Sequence, residues 1–316
     1  MMPIKTYTPG IVILWVMVLL FGCQVPRHAG ADKTTSLANS LLWKIESPDL
    51  DAPSYLFGTM HLIPEEHYFW PAHFQNAYSA TEQIVLETNE LDMNPASMMG
   101  LMPKIMMPQD QTLEDLVSDD EYERIREFFE GMGMPLMFLQ NIKPFFLYML
   151  VDIDLGSLLG EGSKSYEMEI TNRAKTDRKA VLGLESLDYQ ISLFDSIPYT
   201  DQAQMLVQAI DQKMERGDES ADEAVQGLYQ TYKDQDLNAI LEEVQATDIT
   251  FKNFNQIFLD IRNRNWIPRI ETYIHQKPTF IAVGAAHLPG QTGVIHLLEK
   301  AGYILTPVLN PRDGTY

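Results

Sequence analysis

Phe280-Ile281-Ala282-Val283-Gly284-Ala285-Ala286-His287-Leu288 and Tyr55-Leu56-Phe57-Gly58-Thr59-Met60-His61-Leu62 read almost the same way, although they lie far apart in the chain. Each is an apolar, strand-like run that ends in Gly-x-x-His-Leu, with a proline within two residues (Pro289 and Pro64). A glycine at a strand end lets the backbone turn sharply, and a histidine three residues on then sits at the strand mouth. Two such mouths in one sheet would aim two imidazoles at one point. Imidazole is both the commonest metal ligand and the commonest acid/base group.

Outward from these segments the chain reads as α/β. Leu41–Ile45 and Ser54–Gly58 flank a turn at Ser47-Pro48-Asp49 and predict a hairpin. Ala72–Ala80 reads as helix, and Gln83-Ile84-Val85-Leu86-Glu87 as a buried strand ending in a carboxylate. Asp119–Glu130 has helical spacing, with Ser118 or Asp119 as the N-cap and Gly131 and Gly133 as the stop. Pro144–Leu155 and Tyr166–Lys175 predict helices, and residues 179–185 a strand ending in Glu185. Residues 200–246 read as two acidic amphipathic helices, and Asn253–His275 as a long helix broken or kinked near Pro268. A strand over 279–284, a helix over 291–301 and a strand over Tyr303–Val308 close the chain. The expected architecture is a central mixed sheet built from two pseudo-repeated strand–Gly-x-x-His–helix–strand units, with a large helical insertion. The repeat is asymmetric in chemistry: the second strand of the first copy ends in Glu87, that of the second in Thr306-Pro307.

The amino-terminal stretch reads as a targeting segment. Lys5 precedes an apolar core over Ile11–Phe21, too short for a membrane span, and Leu20-Phe21-Gly22-Cys23 follows. Leu-x-Gly-Cys resembles the bacterial lipobox, with Cys23 as the lipidated residue; plain secretion or an uncleaved anchor is the alternative. Residues 1–22 are thus expected to be a signal peptide, 23–38 a tether and 39–316 the folded domain, anchored by lipid at the cell envelope, with the outer membrane as the expected destination. The formal net charge is −21 and the only cysteine is Cys23, so no disulfide is expected in the domain. No basic patch that would track phosphates occurs, which argues against a nucleic-acid partner.

His61, His287, Glu87 and Glu185 share one placement, at or just past the end of a predicted strand, where α/β sheets bind ligands. Two imidazoles and one or two carboxylates suit a divalent metal with an open water position. The same set without metal suits a His–Glu acid/base pair. The competing reading is structural: histidines that cap loops, and glutamates paired with an arginine such as Arg262. His67, His73, Glu65 and Glu66 could extend a metal shell or be surface residues. Met98, Met99, Met102, Met106, Met107, Met132, Met134 and Met137 are dense enough to raise a soft-metal or haem role, although flexible packing explains them better. Gly160–Ser163 lacks the spacing of a phosphate loop.

The two Gly-x-x-His segments, Val85-Leu86-Glu87, Gly183-Leu184-Glu185-Ser186, Arg262-Asn263 and Val283–Gly290 together resemble the TraB/PrgY/GumN family over roughly residues 40–310. Ser165-Tyr166-Glu167-Met168-Glu169 and Gln190–Pro198 resemble its bacterial lipoprotein branch. The family is similar to the animal TIKI proteins, membrane-associated metal-dependent proteases, and more distantly to erythromycin esterases and ChaN haem-binding lipoproteins. The resemblance implies His61, Glu87 and His287 as metal or catalytic residues, with a divalent ion of the Mn, Co or Zn class, and Glu185, Arg262 and Asn263 lining the same cleft. Asn89 stands where many members carry an acidic residue, which leaves the site poorer in charge. The function expected is an envelope-anchored, metal-dependent hydrolase, a peptidase or amidase, acting on a peptide or small molecule. The alternatives are a non-catalytic haem-, iron- or peptide-binding lipoprotein and a metal-free esterase.

Overall fold

A computed structural model describes residues 36–89, 95–108, 110–151, 162–246 and 254–309, the helical residues 95–98, 216–225 and 246 by their backbone. The signal segment, Cys23 and most of the tether lie outside the described residues. The chain is pinned from Leu37 onward, whose backbone N–H and carbonyl both bond the Asn238 side chain.

The elements follow in the order β1 Leu42–Glu46, β2 Ser54–Thr59, β3 Ile63–Pro64, α1 Ala72–Ser79, β4 Gln83–Leu86, α2 Pro95–Ile105, α3 Asp119–Gly131 and α4 Pro144–Val151. Then come β5 Ser163–Lys164, α5 Tyr166–Asp177, β6 Ala180–Gly183, α6 Leu187–Leu193, α7 Tyr199–Lys233 and α8 Leu237–Ala246. α9 Arg262–Gln276, β7 Thr279–Gly284, α10 Val294–Lys300 and β8 Ile304–Pro307 complete the chain. One mixed sheet has the order β6-β4-β7-β2-β1-β8, and β3 and β5 pair in a two-stranded sheet.

The hairpin β1–β2 is antiparallel, as is the pair β1–β8, while β6, β4, β7 and β2 run parallel. Parallel strands covered on both faces carry continuous apolar runs, and Phe280, Ile281, Ala282 and Val283 of β7 are all fully buried. The two motif strands lie side by side, with Gly58 opposite Val283 and Thr59 opposite Gly284. The expected mixed α/β sheet with a helical insertion is therefore the observed fold.

Aromatic packing fixes β2 against the helices on one face. Phe57 meets Phe74 of α1 and Tyr166 of α5 edge-on, at 4.8 and 5.5 Å between ring centroids. All three are fully buried, and burial of a side chain this large stabilises by about 2–3 kcal/mol. α5 is thereby seated over the end of β2, which matters for the site. Elsewhere the capping residue of α3 is Ser118, in a reciprocal capping box with Glu121. The two acidic helices expected over 200–246 are α7 and α8, separated at Gln235, whose φ of 56° is left-handed. The long helix near 253–275 departs from expectation. α9 continues through Pro268, and the irregularity lies earlier, in a π-helical turn at Gln256–Ile261 that leads directly into Arg262. A wide turn of that kind re-aims the side chain that follows it.

Candidate active site

The four parallel strands deliver their carboxyl ends to one edge of the sheet. His61 follows β2, His287 follows β7, Glu87 follows β4 and Glu185 follows β6. The strand order brings all four together, and α9 lays Arg262 and Asn263 across them. His61, Glu87, Glu185, Arg262, Asn263 and His287 are all buried.

Arg262 is the hub. Its Nε donates to Glu185 Oε1 at 2.9 Å, and one terminal nitrogen donates to the Phe258 carbonyl at 3.0 Å and to His287 Nε2 at 3.1 Å. The other terminal nitrogen donates to Glu87 Oε2 and stands 2.7 Å from Glu185 Oε1. The guanidinium also lies 4.8 Å from the Trp266 ring, whose N–H donates to Glu185 Oε2 at 2.8 Å. Both oxygens of Glu87 have further partners: Oε2 also accepts from Gln190 at 3.0 Å, and Oε1 accepts the Gly284 N–H at 2.8 Å, which leaves one lone pair of Oε1 unused by these bonds. Burial alone would raise the Glu87 pKa, but the Arg262 charge, then the two histidines and the Gly284 N–H, hold it well below the usual carboxylate range.

The tautomer of His287 follows from its neighbours. A guanidinium only donates, so His287 Nε2 is an acceptor and the proton sits on Nδ1. Nδ1 in turn donates to Asn263 Oδ1 at 2.6 Å, and the Asn263 amide donates to the carbonyls of His287 and Thr292. Burial, reinforced by Arg262 and His61, lowers the His287 pKa to about 3 against the pull of Glu87, so the ring is neutral.

His61 has the opposite character. Its Nδ1 stands 2.9 Å from Oε1 of Glu167, a fully buried carboxylate at the start of α5. Burial lowers the His61 pKa, yet the Glu167 carboxylate 2.9 Å away, with Glu87 behind, more than offsets this and raises it to about 9.

These groups converge beside Gly284. A β-carbon placed on that glycine would lie 3.3 Å from Glu87 Oε1, 3.5 Å from His287 Cδ2 and 3.7 Å from His61 Nε2. Glycine thus keeps open a point that both a carboxylate oxygen and an imidazole nitrogen address. A cavity of about 10 Å³ adjoins that point on the side of the two histidines, between His61, Gly284, His287 and the side chains of Leu228, Tyr232 and Ile240; Glu87 stands behind Gly284 and is not one of its walls. The cavity has the room one water needs. A larger, open cleft of about 760 Å³ adjoins Glu185 and Trp266, lined also by Tyr189, Asn265 and Arg269.

Residues 41–307 match the sequence profile of the TraB/PrgY/gumN family. The chain belongs to that family. Among curated proteins, it is 23% identical to Metalloprotease TIKI1 of Xenopus tropicalis, over 94% of this chain and 67% of that one. It is 23% identical to Metalloprotease TIKI2 of the same organism, over 92% of this chain and 64% of that one. The human Metalloprotease TIKI1 is 22% identical, over 84% of this chain and 61% of that one. The chain thus spans about two thirds of the length of these relatives. No solved structure matches it significantly.

The relatives' names imply a metal, and His61, Glu87 and His287 are the ligands expected here. In the present arrangement they do not fit one. His287 Nε2 and Glu87 Oε2 are held by Arg262, so a divalent ion would displace or face a guanidinium. Among the described residues no three His, Cys, Asp or Glu side chains are grouped as a metal site.

Arg262 and Asn263, expected at the substrate, direct their hydrogen-bonding groups inward, to Glu87, Glu185, His287 and Thr292; of the expected residues, Glu185 lines the open cleft. His67 bonds Gln226 and His73 packs on Phe74, away from the centre. Met107 is buried, Met132 and Met134 pack on the helical insertion, and Met99, Met102 and Met137 are exposed. Gly160 and Glu161 lie outside the described residues. Sequence reasoning assigned no role to Glu167, Gln190, Trp266 or Thr59. A buried glutamate on a polar helix leaves no periodic signal; the resemblance marked the segment Ser165–Glu169 that holds Glu167, but gave that residue no role.

Proposed function

We propose that the protein is a hydrolase of amide or peptide bonds at the cell envelope. The observation that carries this reading is the convergence of Glu87 Oε1 and His61 Nε2 on the open point at Gly284, beside a cavity of one-water size. Their environments push the two pKa values apart, which separates an ionised carboxylate from a protonated imidazole at neutral pH. Glu87 Oε1 orients the water and accepts its proton as the oxygen attacks the carbonyl carbon. His61 Nε2–H hydrogen-bonds the developing oxyanion without giving up its proton and then transfers that proton to the leaving amine as the C–N bond breaks. The proton on Glu87 returns to His61 and restores the site. His287, neutral and locked by Asn263 and Arg262, walls the cavity. The names of the relatives support hydrolysis of peptides. The cavity between the two histidines has no room for a haem.

The relatives' names also favour a second reading, in which Arg262 withdraws and a divalent ion of the Mn, Co or Zn class binds His61, Glu87 and His287. The full-length protein in detergent, incubated with a quenched-fluorescent peptide library, tests both. Cleavage falling at least 100-fold in Glu87→Gln and in His61→Ala is expected, and no cleavage with or without added metal overturns the hydrolase. Elemental analysis separates the readings: a stoichiometric ion, lost in a His61→Ala/His287→Ala variant together with chelator-sensitive cleavage, establishes the metal-dependent one.

A further inference from the structure

Glu167 is fully buried, and among the described residues its ionic partner is His61. A buried carboxylate is costly unless it is paired and hydrogen-bonded. Glu167 is both. Its Oε1 accepts from the Thr59 hydroxyl at 2.5 Å and faces His61 Nδ1, and its Oε2 accepts from the Ser165 hydroxyl at 2.9 Å. Ser165 is in turn the N-cap of α5 and accepts from the Met168 N–H.

The backbone brings these partners together over a long stretch of chain. Just after His61, β3 pairs with β5, with Ile63 opposite Lys164 and Pro64 opposite Ser163. The Glu65 N–H donates to the Gly162 carbonyl at 2.9 Å, and Lys164 bridges to Glu65 at 3.0 Å. This small sheet fastens the loop that carries His61 to the turn that starts α5. Packing of Tyr166 on Phe57 holds the other side. The whole assembly terminates on one imidazole nitrogen.

We propose that Glu167 is a positioning residue of the hydrolytic site: clamped by Thr59 and Ser165, it holds His61 by Nδ1 and so directs Nε2 toward Glu87 and Gly284. Two side-chain torsions of a histidine at a strand mouth are otherwise free to turn Nε2 away. The inference rests on the proposed hydrolysis for its kinetic consequence, and on geometry alone for its structural one.

The test uses full-length protein in detergent, labelled with ¹⁵N-histidine, and the same peptide library. The wild type is expected to show a low-field, slowly exchanging Nδ1 proton for His61, identified by its absence in His61→Asn. In Glu167→Gln that resonance shifts upfield by about 1 ppm or more, or vanishes, and kcat falls at least 10-fold while KM stays within about twofold. Glu167→Asp, which keeps the charge, recovers part of the resonance shift and of kcat. Should Glu167→Gln fail to fold, Thr59→Val removes one clamp while leaving the carboxylate, and a smaller displacement of the same resonance with a several-fold loss of kcat is expected. An unmoved resonance and unchanged kcat in whichever variant folds overturn the proposal. A wild type that cleaves nothing overturns the hydrolase reading, and the resonance comparison still decides the role of Glu167.

Discussion

Replacing Arg262 by methionine keeps much of the volume and removes the one cation that Glu87, Glu185 and His287 share. Arg262 is 3% exposed and both carboxylates are buried, so water replaces the guanidinium poorly, least of all at Glu87. Removing one partner of a buried ion pair costs about 3–5 kcal/mol, because the other charge stays behind without compensation. Two carboxylates are stranded here, which places the expected loss at the upper end, about 4–5 kcal/mol. At this chain length each kcal/mol corresponds to about 2 °C, so the melting temperature at pH 7.5 should fall by about 8–10 °C. The pH dependence checks the cause. Arg262 is the main reason the Glu87 pKa is low; without it, burial raises that pKa and the carboxyl accepts a proton more readily. The gap between wild type and Arg262→Met should therefore narrow as the pH falls from about 8 toward 5. Adding Glu87→Gln to Arg262→Met should restore part of the loss by removing one stranded charge. Thermal unfolding by circular dichroism across pH 5–8 reads all three variants. A drop under about 3 °C at pH 7.5, or a gap that does not change with pH, refutes the idea that Arg262 neutralises a buried anionic cluster.

Two further outcomes follow from the same geometry. Gly284→Ala places a methyl 3.3 Å from Glu87 Oε1 and 3.7 Å from His61 Nε2; peptide cleavage should fall at least 100-fold with the melting temperature within about 3 °C of wild type, and an active variant would remove the water from that point. The wild-type stability should decline on both sides of neutrality. Glu87 and Glu167 have folded pKa values below their unfolded ones, so their contribution is present above pH 4.5 and is lost as the pH falls below it. His61 is raised from 6.5 to about 9, so its contribution is complete below pH 6.5 and is lost as the pH rises through about 9. That alkaline loss amounts to about 3 kcal/mol, and a His61→Asn variant with the same alkaline slope in its melting temperature refutes the assignment.

The strands and their mouths were legible in the chain. Strand apolarity and terminal glycine are local properties, so β2, β7, β4 and β6 could be read along with the histidine or glutamate after each. So could α3 with its Ser118 cap, because capping needs only the next three residues. The Gly-x-x-His pair, read as an echo, pointed to two strand mouths in one sheet aimed at one point; that β2 and β7 are adjacent and parallel is what the fold adds. The irregular turn before Arg262 was misplaced to Pro268, since proline is a visible breaker whereas a π turn depends on what the helix must reach.

What the linear chain determined, then, is which residues arrive at the carboxyl edge of the sheet, because period and punctuation act over a few residues. What only the tertiary structure decided is the state in which they arrive. His61 and His287 carry the same motif, yet one is held by a buried carboxylate and the other by a guanidinium. Glu167 reaches His61 through a two-stranded sheet that closes across 99 residues, from Pro64 to Ser163, and Arg262 reaches Glu87 from a helix 175 residues away. Charge and burial at a side chain are set by neighbours in space, and two identical motifs therefore became two chemically opposite imidazoles.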